Sequence, residues 1–296
     1  MRFHALRASD AEIYAALHLS QVAHVRVEIA PAAPSRQRLI QAGFFQLPSS
    51  IDSTVLLPFE PEDRPRTWRK NLARSMAAWE QAELRLSLAT VASYGLEKLV
   101  SQLYFPIFVP QFYARGMSPY GAHNLDTFRG LAAPDTYVAV VERGDQVVGG
   151  ALLRRAQEPA SALLLKGLRA EGSSIEGLVY VLREEIAECR RALLLHLCEA
   201  FTQLGFPALS LGRDTACIDP GYAPVLLEKL RWADSVSVHV GPEHELAFIH
   251  EGSAVRGRGM VVLTIDGEQR VGIRSYGEAA RSVEHQLRDL LPGLQP

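Results

Sequence analysis

The chain has 296 residues, of which 48% are hydrophobic and 22% charged, and its formal net charge is -2 at pH 7. These values are typical of one or two globular domains with a sizeable core. The near balance of acidic and basic residues disfavours a dedicated DNA-binding protein, which would need a basic surface. Small molecules and acyl carriers remain as substrate classes.

Cysteine use and the absence of export or membrane signals indicate the compartment. Cys189, Cys198 and Cys217 are too few for a disulfide framework, and none has the C-x-x-C spacing of a zinc or redox pair. The first residues, MRFHALRASDAE, lack the basic start and apolar core of a secretory signal. No apolar run approaches the ~20 residues that a membrane helix needs. We therefore expect a cytoplasmic protein with no membrane partner.

The first third of the chain mixes strand and helix patterns. Alternating apolar residues predict strands over 22–29, 53–57 and 83–89, and a short helix is predicted over 35–43. Between the second and third strands, apolar residues recur on one face of a helix: Trp68, Leu72, Met76 and Trp79. Four basic residues lie away from that stripe: Arg66, Arg69, Lys70 and Arg74.

From about residue 94 the pattern is more regular. An apolar helix bent at its prolines is predicted over 96–115, and a short helix over 122–131. The elements that follow are strands 137–142, 146–153, 161–168 and 177–182, a helix 183–204 ending at Gly205, strand 208–211, helix 221–231, strand 235–240, hairpin 260–265/269–274 and helix 276–291.

This order of elements resembles the GNAT acyltransferase fold. The segment VAVVERGDQVVGGALL is similar to the GNAT hairpin, in which a strand ending in an acidic residue turns into a second strand of the form hVGgh. The segment CEAFTQLGFPALSLGRD resembles the helix–glycine–strand passage of Fem-type aminoacyltransferases. In that group the strand often runs into a G-R-S-like turn, whose place is taken here by Gly212, Arg213 and Asp214.

A second Fem-type signature, F-K-x-x-W-G, is matched in part. Lys229 and Trp232 keep its lysine and tryptophan, whereas Glu228 and Ala233 replace its phenylalanine and glycine. Upstream, LIQAGFFQLPSSIDSTVLLPF and RTWRKNLARSMAAWEQAELRLSLAT are similar to the passage that closes the first lobe in that group. The resemblance covers most of residues 38–240.

The resemblance implies an α+β fold: a GNAT-like mixed, mostly antiparallel sheet flanked by helices, with a reduced second GNAT-like lobe. Residues 1–95 would form the reduced N-terminal lobe and residues 96–250 the complete domain. Residues 251–296 would form a hairpin and helix that pack either on the N-terminal lobe or on a partner in a homodimer.

The resemblance also bears on the acyl donor. In GNAT folds two neighbouring strands diverge to admit an acyl-pantetheine arm, and the next helix presents its N-terminus to a pyrophosphate. Here VLREEIAECRRALLL has no glycine loop and brings three glutamates that would repel a phosphate. Arg190 and Arg191, with Arg183, offset this charge and are the candidate phosphate-binding residues. The Fem-type resemblance implies an aminoacyl-tRNA donor instead, so acyl-CoA and aminoacyl-tRNA both stay open as co-substrates, with no tightly bound cofactor.

The implied chemistry is attack of an amine or hydroxyl on a carbonyl, which needs a proton acceptor and a donor to the oxyanion. Lys229 is the first candidate for charge stabilisation, with a surface lysine on an amphipathic helix as the alternative. His123 is the candidate general base because histidine titrates near neutral pH, with an exposed, idle histidine as the alternative. Tyr222 is a candidate donor to a thiolate or carbonyl.

The candidate substrate-binding residues are Tyr113 and Tyr120 of an acceptor-side loop, Tyr180 on the strand before the long helix, Arg213 and Asp214 at a strand end, and Trp232. For Arg213 and Asp214, an ion pair within their turn is the alternative. His239, His244 and His250 lack metal-ligand spacing, so no metal site is predicted.

Together these features predict an N-acyltransferase that moves an acyl or aminoacyl group onto the amine of a small molecule, in specialised metabolism. The alternative is a catalytically silent GNAT-like module that binds a ligand or partner, which the missing glycine loop favours. If the donor is an aminoacyl-tRNA, tRNA is a partner and the basic helix residues would contact its phosphates. No DNA partner is expected.

Overall fold

The structure is a computed structural model and describes residues 2–4, 24–29, 44–114, 125–156, 162–168, 173–239, 246–251, 259–266 and 268–295. Its strands are β1 (Arg2–His4), β2 (His24–Ile29), β3 (Phe44–Leu47), β4 (Ser50–Leu56), β5 (Leu84–Thr90), β6 (Tyr137–Arg143), β7 (Gln146–Arg155), β8 (Ala162–Lys166), β9 (Ile175–Leu182), β10 (Ala208–Asp214), β11 (Cys217–Ile218), β12 (Ser235–His239), β13 (Leu246–Glu251), β14 (Met260–Ile265) and β15 (Val271–Tyr276).

The helices are α1 (Arg66–Gln81), α2 (Val91–Tyr94), α3 (Leu96–Leu99), a π-helix (Val100–Phe108), α4 (Val109–Ala114), α5 (Leu125–Leu131), α6 (Arg190–Gln203), α7 (Ala223–Trp232) and α8 (Glu278–Leu290). Short 3₁₀ turns cover Pro61–Asp63 and Glu184–Cys189. No helix in these parts of the chain is both long and apolar enough to cross a membrane.

The chain divides into two compact units. Unit 1 contains residues 1–54, 158–169 and 213–296, and unit 2 contains residues 55–157 and 170–212. The boundaries of these units differ from those of the lobes predicted from the sequence, 1–95, 96–250 and 251–296. The division into lobes stays a prediction.

Unit 2 contains the sheet that the GNAT-like prediction concerns. Its strands lie in the order β5-β6-β7-β9-β10. The first four pair antiparallel, whereas β9 and β10 pair parallel. A parallel pair needs a crossover connection, and here the Glu184–Cys189 turn and α6 provide it. The predicted α+β class, with a mostly antiparallel sheet flanked by helices, is confirmed.

Helices cover both faces of the unit 2 sheet. On one face, the π-helix residues Leu103 and Phe108 pack in one core cluster with Val138 of β6, Leu152 of β7 and Val179 of β9. On the other face, the Phe201 ring of α6 meets the Tyr137 ring of β6 edge-on, with centroids 5.4 Å apart. The bend predicted near Pro106 is a π-helical segment, in which the missing N–H of proline is accommodated by a wider turn.

Two glycines of β7 allow neighbouring groups to approach closely. A Cβ on Gly150 would lie 2.5 Å from the carbonyl oxygen of Ala139 and 3.1 Å from Leu103. A Cβ on Gly149 would lie 2.7 Å from the carbonyl oxygen of Val181. Because these obstacles are backbone atoms held in the sheet, the V-G-G segment is required by packing.

Substituting Gly150 by alanine is therefore expected to lower the free energy of unfolding by about 1–3 kcal/mol, the usual range for overpacking. Gly130 in α5 provides a matched control, because a Cβ there meets no atom within 4 Å. Gly130→Ala should stabilise the protein by about 0.5–1 kcal/mol through higher helix propensity. Urea unfolding measures both changes, and equal effects of the two substitutions would contradict the packing argument.

Unit 1 is built around α7 and α8. Its strands form one path β1-β2-β13-β3-β14-β11, with β15 paired to β14. Strands β4, β12 and β8 pair antiparallel in that order. One core cluster joins Leu230 of α7 and Leu287 of α8 to Val238 of β12 and Val261 of β14.

Lysine 166 of β8 stabilises the end of α7. Its Nζ donates to the carbonyl oxygens of Leu230 at 3.1 Å and of Ala233 at 2.6 Å. The last carbonyls of a helix have no partner within the helix, and the helix dipole favours a cation there. Lys166 thus fixes the end of α7, the helix that carries Lys229.

The observed elements differ from the predicted ones at specific places. The helix predicted over 183–204 is divided into a 3₁₀ turn and α6, because Ile186 has non-helical angles of φ -125° and ψ 21°. Its predicted end at Gly205 is confirmed by the left-handed φ of 78° at that glycine. Strands β1, β3, β11 and β13 were not predicted, and the helix predicted over 35–43 lies outside the described residues.

Candidate functional site

The two parallel strands of unit 2 separate shortly after they meet. β9 and β10 are in register at only two positions, Ile175↔Leu209 and Glu176↔Ser210. β9 then continues to Leu182 without a further partner on β10 in this fully described stretch, while its other edge stays paired with β7. The predicted divergence of these strands is therefore present: beyond Glu176 and Ser210 the facing edge of β9 has no register partner on β10, and we call the space along this edge the gap.

The backbone groups that face this gap follow from the ladder of β9 with β7. The N–H of Arg183 donates to the carbonyl oxygen of Val148 at 2.9 Å. Because antiparallel strands alternate bonded and non-bonded residues, the peptide groups of Val181 also point to β7, and those of Tyr180 and Leu182 point to the gap. The side-chain amide of Gln111 donates to the Leu182 carbonyl oxygen. This bond shows that a hydrogen-bonding partner can reach the open edge.

A bulge modifies β9 beside the gap. Leu152 and Leu153 of β7 pair with Val179 and Gly177, so Leu178 has no register partner on β7. A bulge bends a strand and increases its local twist. The bulge therefore contributes to the divergence of β9 from β10.

Tyr180 closes the narrow end of the gap. Its hydroxyl donates to the carbonyl oxygen of Ser210 at 3.3 Å. A Cβ on Gly177 would lie 1.7 Å from that hydroxyl oxygen, so only glycine leaves room for the ring in this position. Tyr180, a predicted substrate-binding residue, thus bridges the two strands at the point where they part.

Removing this hydroxyl is expected to have a modest effect. Tyr180→Phe keeps the ring over Gly177 and deletes the bond to Ser210. A neutral hydrogen bond of this length contributes about 0.5–1.5 kcal/mol to stability. Urea unfolding should show a loss in that range. A loss above about 3 kcal/mol would mean that the hydroxyl has a larger structural role than this one bond.

In unit 1, three of the predicted site residues form one cluster: Lys229 and Tyr222 both contact the buried carboxylate of Asp214. The Asp214 side chain, at the end of β10, is 1% exposed. Lys229 Nζ lies 3.0 Å from both of its oxygens, and the Tyr222 hydroxyl donates to Oδ1. Lys229 itself keeps 22% of its side chain exposed. The cluster therefore presents one partly accessible ammonium held by a buried carboxylate.

The local sequence explains how these groups converge. The Asp219 side chain accepts from the Gly221 N–H at 2.7 Å, and its carbonyl accepts from the Tyr222 N–H at 2.9 Å, so a tight turn leads into α7. Tyr222 and Lys229 are seven residues apart, about two helical turns, and lie on the same face of α7. Leu226 and Leu230 are buried and fix the rotation of the helix.

The alternative foreseen for Arg213 and Asp214, an ion pair within their turn, takes another form. Asp214 pairs with Lys229, whereas Arg213 lies on the exposed side of the strand end. A carboxylate that accepts from a lysine and a tyrosine hydroxyl reduces the net positive charge available to a ligand. The roles predicted for Lys229, Tyr222, Arg213 and Asp214 in substrate handling stay predictions.

The remaining predicted residues lie elsewhere. Trp232 is fully buried at the end of α7. Arg190 is exposed and Arg191 half-buried, both in the first turn of α6. Tyr113 lies on α4, but its side chain is outside the described residues, as are Tyr120 and His123 altogether. Among the predicted site residues whose side chains are described, the structure brings Lys229, Tyr222 and Asp214 together.

Metal and thiol chemistry find little support in the described residues. Within those ranges, no group of three or more histidine, cysteine, aspartate or glutamate side chains could hold a metal ion. Burial, and to a smaller extent the charge of Glu188, raises the pKa of the Cys189 thiol. A thiol whose pKa is raised is a weaker nucleophile at neutral pH, because less thiolate is present.

Two contacts were not foreseen: the Gln111 amide donates to the Leu182 carbonyl oxygen, and the Ala192 N–H at the start of α6 donates to the Ser75 hydroxyl. Gln111 is a polar residue in a mostly apolar helical stretch, and Ser75 is a polar residue on the buried side of α1. A polar residue in such a position indicates a specific hydrogen-bond partner, but the sequence does not show which residue that partner is.

No protein-family model matches the sequence, and no curated protein does. Similar solved structures include the C-terminal domain (DUF2156) of a putative lysylphosphatidylglycerol synthetase from Agrobacterium fabrum, with 12% identity and a TM-score of 0.43 over 80% of this chain and 70% of that one. L-PGS from Bacillus licheniformis shows 11% identity and a TM-score of 0.42 over 81% of this chain and 71% of that one. A GCN5-related N-acetyltransferase from Anabaena variabilis shows 12% identity and a TM-score of 0.38 over 96% of this chain and 71% of that one. Values this low leave the activity to be argued from the chain's own residues.

Proposed function

We propose that the protein is an N-acyltransferase that moves an acyl or aminoacyl group onto the amine of a small molecule. The observation that carries this proposal is the gap between β9 and β10, which are paired at only two positions. An extended acyl arm needs backbone donors and acceptors along its length, and an unpaired strand edge supplies them at strand spacing.

The reaction would proceed by attack of the amine nitrogen on the donor's carbonyl carbon. A new C–N bond forms, the bond from the carbonyl carbon to the sulfur or oxygen of the donor breaks, and the amine loses a proton. In this proposal, peptide N–H groups on the open edge of β9, at Tyr180 and Leu182, would donate to the developing oxyanion. Fixed backbone donors of this kind contribute strongly to catalysis because they need no reorganisation.

The side-chain roles predicted from the sequence are proposed independently of the β9 edge. Lys229 would stabilise negative charge, with Asp214 fixing its position and Tyr222 donating to the leaving group or carbonyl. His123 would accept the amine's proton. The support for Lys229 and Tyr222 is their shared contact with Asp214.

The test is a transfer assay with both donor classes. Purified protein is mixed with short-chain acyl-CoAs or with aminoacyl-tRNA and a panel of small amines, and products are read by mass spectrometry. We expect an acylated amine from one donor class and none when the protein is omitted. If neither class gives a product across the panel, the acyltransferase proposal is wrong.

A second candidate function is a catalytically silent GNAT-like module that binds a ligand or partner. The observation that favours it is the ion pair of Lys229 with Asp214, which reduces the positive charge at the cluster. A silent module would be stabilised by its ligand in a thermal-shift titration but would give no turnover. Stabilisation by a donor together with product formation would eliminate this candidate.

A further inference from the structure

A polar residue interrupts the apolar row of the helical segment that covers one face of the unit 2 sheet. Leu99, Leu103 and Ile107 follow one another at four-residue steps, share one core cluster and are at most 1% exposed. The next position of this row is Gln111 of α4, which is half-buried. Residues four apart lie on the same side of a helix, so the row predicts an apolar residue at position 111. A departure from a local pattern of this kind is typical of a functional position.

Gln111 is hydrogen-bonded to the open edge of β9. Its side-chain amide donates to the Leu182 carbonyl oxygen. Leu182 is in register with Gly149 of β7, but the Arg183 N–H bond to Val148 shows that the Leu182 peptide groups point away from β7. On the other side, β10 has no register partner for Leu182. Gln111 therefore satisfies a strand carbonyl that neither neighbouring strand pairs with.

Packing holds the helical segment at this place. Ile107 and Phe108 of the π-helix belong to one core cluster with Val179 and Val181 of β9. The chain continues from the π-helix into α4 without a break, because Val109 has helical angles and its N–H bonds to the Tyr104 carbonyl oxygen. Position 111 is one helical turn beyond Ile107, and Leu182 follows Val181. The contact of the helix with β9 thus continues into the Gln111 bond, which ties α4 to the strand edge.

An acyl arm on the β9 edge would compete with Gln111. In the proposed function the arm lies along this edge like an added strand, and it pairs with the peptide groups that point to the gap. The Leu182 carbonyl is one of these groups, and the Gln111 amide already donates to it. A primary amide has the planar donor and acceptor geometry of a peptide unit. Gln111 therefore takes the place of one peptide-like unit of the arm.

We infer that Gln111 occupies the place of the donor arm on β9 in the free protein, and that the arriving arm displaces Gln111 and thereby releases α4. This inference rests on the proposed acyl transfer. Gln111 is then a positioning residue, since it acts on α4 and not on the reacting atoms. Helix α4 carries Tyr113, one of the residues predicted to bind the acceptor. The displacement therefore couples the arrival of the donor to the acceptor side, with the donor binding first.

The strength of one hydrogen bond sets the size of the effect. A neutral hydrogen bond shifts an equilibrium by about two- to tenfold. Because an arm binds only to the fraction of molecules in which the edge is open, Gln111 lowers its apparent affinity by about the same factor. Methionine is similar in length to glutamine but has no N–H donor. The Gln111→Met variant should therefore bind an arm about two- to tenfold more tightly than the wild type.

The test measures the affinities of two probes by isothermal titration calorimetry. Acetyl-CoA presents a pantetheine arm, and puromycin presents the aminoacyl-adenosine end of an aminoacyl-tRNA. At least one of them should bind Gln111→Met about two- to tenfold more tightly than the wild type. Gln102→Met is the matched control, because Gln102 of the same helical segment accepts from the Tyr94 hydroxyl at 2.7 Å and not from the β9 edge. This control should have the affinity of the wild type.

Hydrogen exchange gives a second readout, which a purely structural bond would not change. In the wild type, the bound probe should speed up amide exchange in residues 109–114, because α4 loses its bond to β9. In Gln111→Met the exchange of this segment should be fast without the probe, and the probe should leave it unchanged. Ligand binding at a rigid site would instead slow the exchange of neighbouring amides.

Equal or weaker binding of the probes by Gln111→Met would overturn the inference, as would the failure of both probes to bind either protein. Protection of residues 109–114 by a bound probe would also contradict it. The transfer assay decides the acyltransferase proposal separately, so a product made with equal affinities would leave that proposal standing. If Gln111→Met binds a probe more tightly and neither donor class gives a product, the displacement of Gln111 is supported and the transferase proposal fails.

Discussion

Replacing Lys229 by methionine is expected to lower the free energy of unfolding by about 3–5 kcal/mol. The substitution leaves the Asp214 carboxylate, 1% exposed, with only the Tyr222 hydroxyl as its donor in the cluster. A buried charge without its counterion carries most of its desolvation cost. Urea unfolding of both proteins measures the change.

The double variant Asp214→Asn/Lys229→Met separates the ion pair from the loss of lysine packing. Because residues in direct contact are coupled, its loss should be smaller than the sum of the two single losses by about 0.5–3 kcal/mol. The exposed pair Arg129–Glu97, with side chains 41% and 79% exposed, is the control. Arg129→Gln should change stability by less than about 1 kcal/mol. A Lys229→Met effect equally small would show that the Asp214 pair is well solvated.

This stability effect matters for any activity measurement. A catalytic role of Lys229 can be judged only on variants that remain folded, so Lys229→Arg is the more informative substitution. It keeps the charge but changes its shape and its bonding to Asp214. A kcat that falls at unchanged KM and unchanged stability would indicate a role in the transition state.

A second large effect is expected at Phe128 of α5. Its side chain is fully buried, and its ring lies 4.7 Å from Tyr104 and 5.5 Å from Phe108 by centroid distance. Phe128→Ala removes these contacts and leaves a cavity, so we expect a loss of about 3–5 kcal/mol in urea unfolding. Phe128→Leu should cost less than about 2 kcal/mol because it keeps most of the volume.

Phe105 is the control for this prediction, since it is a phenylalanine of the π-helix that carries Tyr104 and Phe108, and 55% of its surface is exposed. Phe105→Ala should change stability by less than about 1 kcal/mol. The aromatic cluster also holds the helical segment that leads to Gln111. Loss of the cluster is therefore expected to loosen the Gln111 bond to Leu182, which hydrogen exchange at the β9 edge can detect. Similar losses for Phe105→Ala and Phe128→Ala would contradict this account.

The elements with strong periodicity could be predicted from sequence. The stripe of Trp68, Leu72, Met76 and Trp79 predicted α1. Trp68, Leu72 and Trp79 are buried as expected, and Met76 is half-buried. The hairpin β6–β7 and the end of α6 at Gly205 were marked by local turn residues. In contrast, β11 has only two residues and β3 only four, too short for any pattern to show. Their pairing depends on distant partners that local patterns do not specify.

For the candidate site too, local patterns predicted some features, whereas others depend on contacts between distant residues. The convergence of Lys229 and Tyr222 follows from helical spacing. Lys229 was chosen as a site residue from the Fem-type resemblance, and Tyr222 from its place after a glycine in the turn before the helix. The buried state of Asp214 could not be foreseen, because it depends on the packing of α7 against the end of β10. The cap of α6 by Ser75 joins residues 117 apart in sequence, which no local pattern reveals. Sequence therefore indicated the chemical groups but not which of them would neutralise one another.

The chain order of the two units has a consequence for biosynthesis. All parts of unit 2 lie between residues 55 and 212, whereas unit 1 needs segments from residues 1–54 and from residues 213–296. On the ribosome, β3 must therefore wait for its partner β14, which is synthesised after all of unit 2. Unit 2 is expected to gain structure earlier, and chains released before the final helix should expose the apolar strands of unit 1 to aggregation.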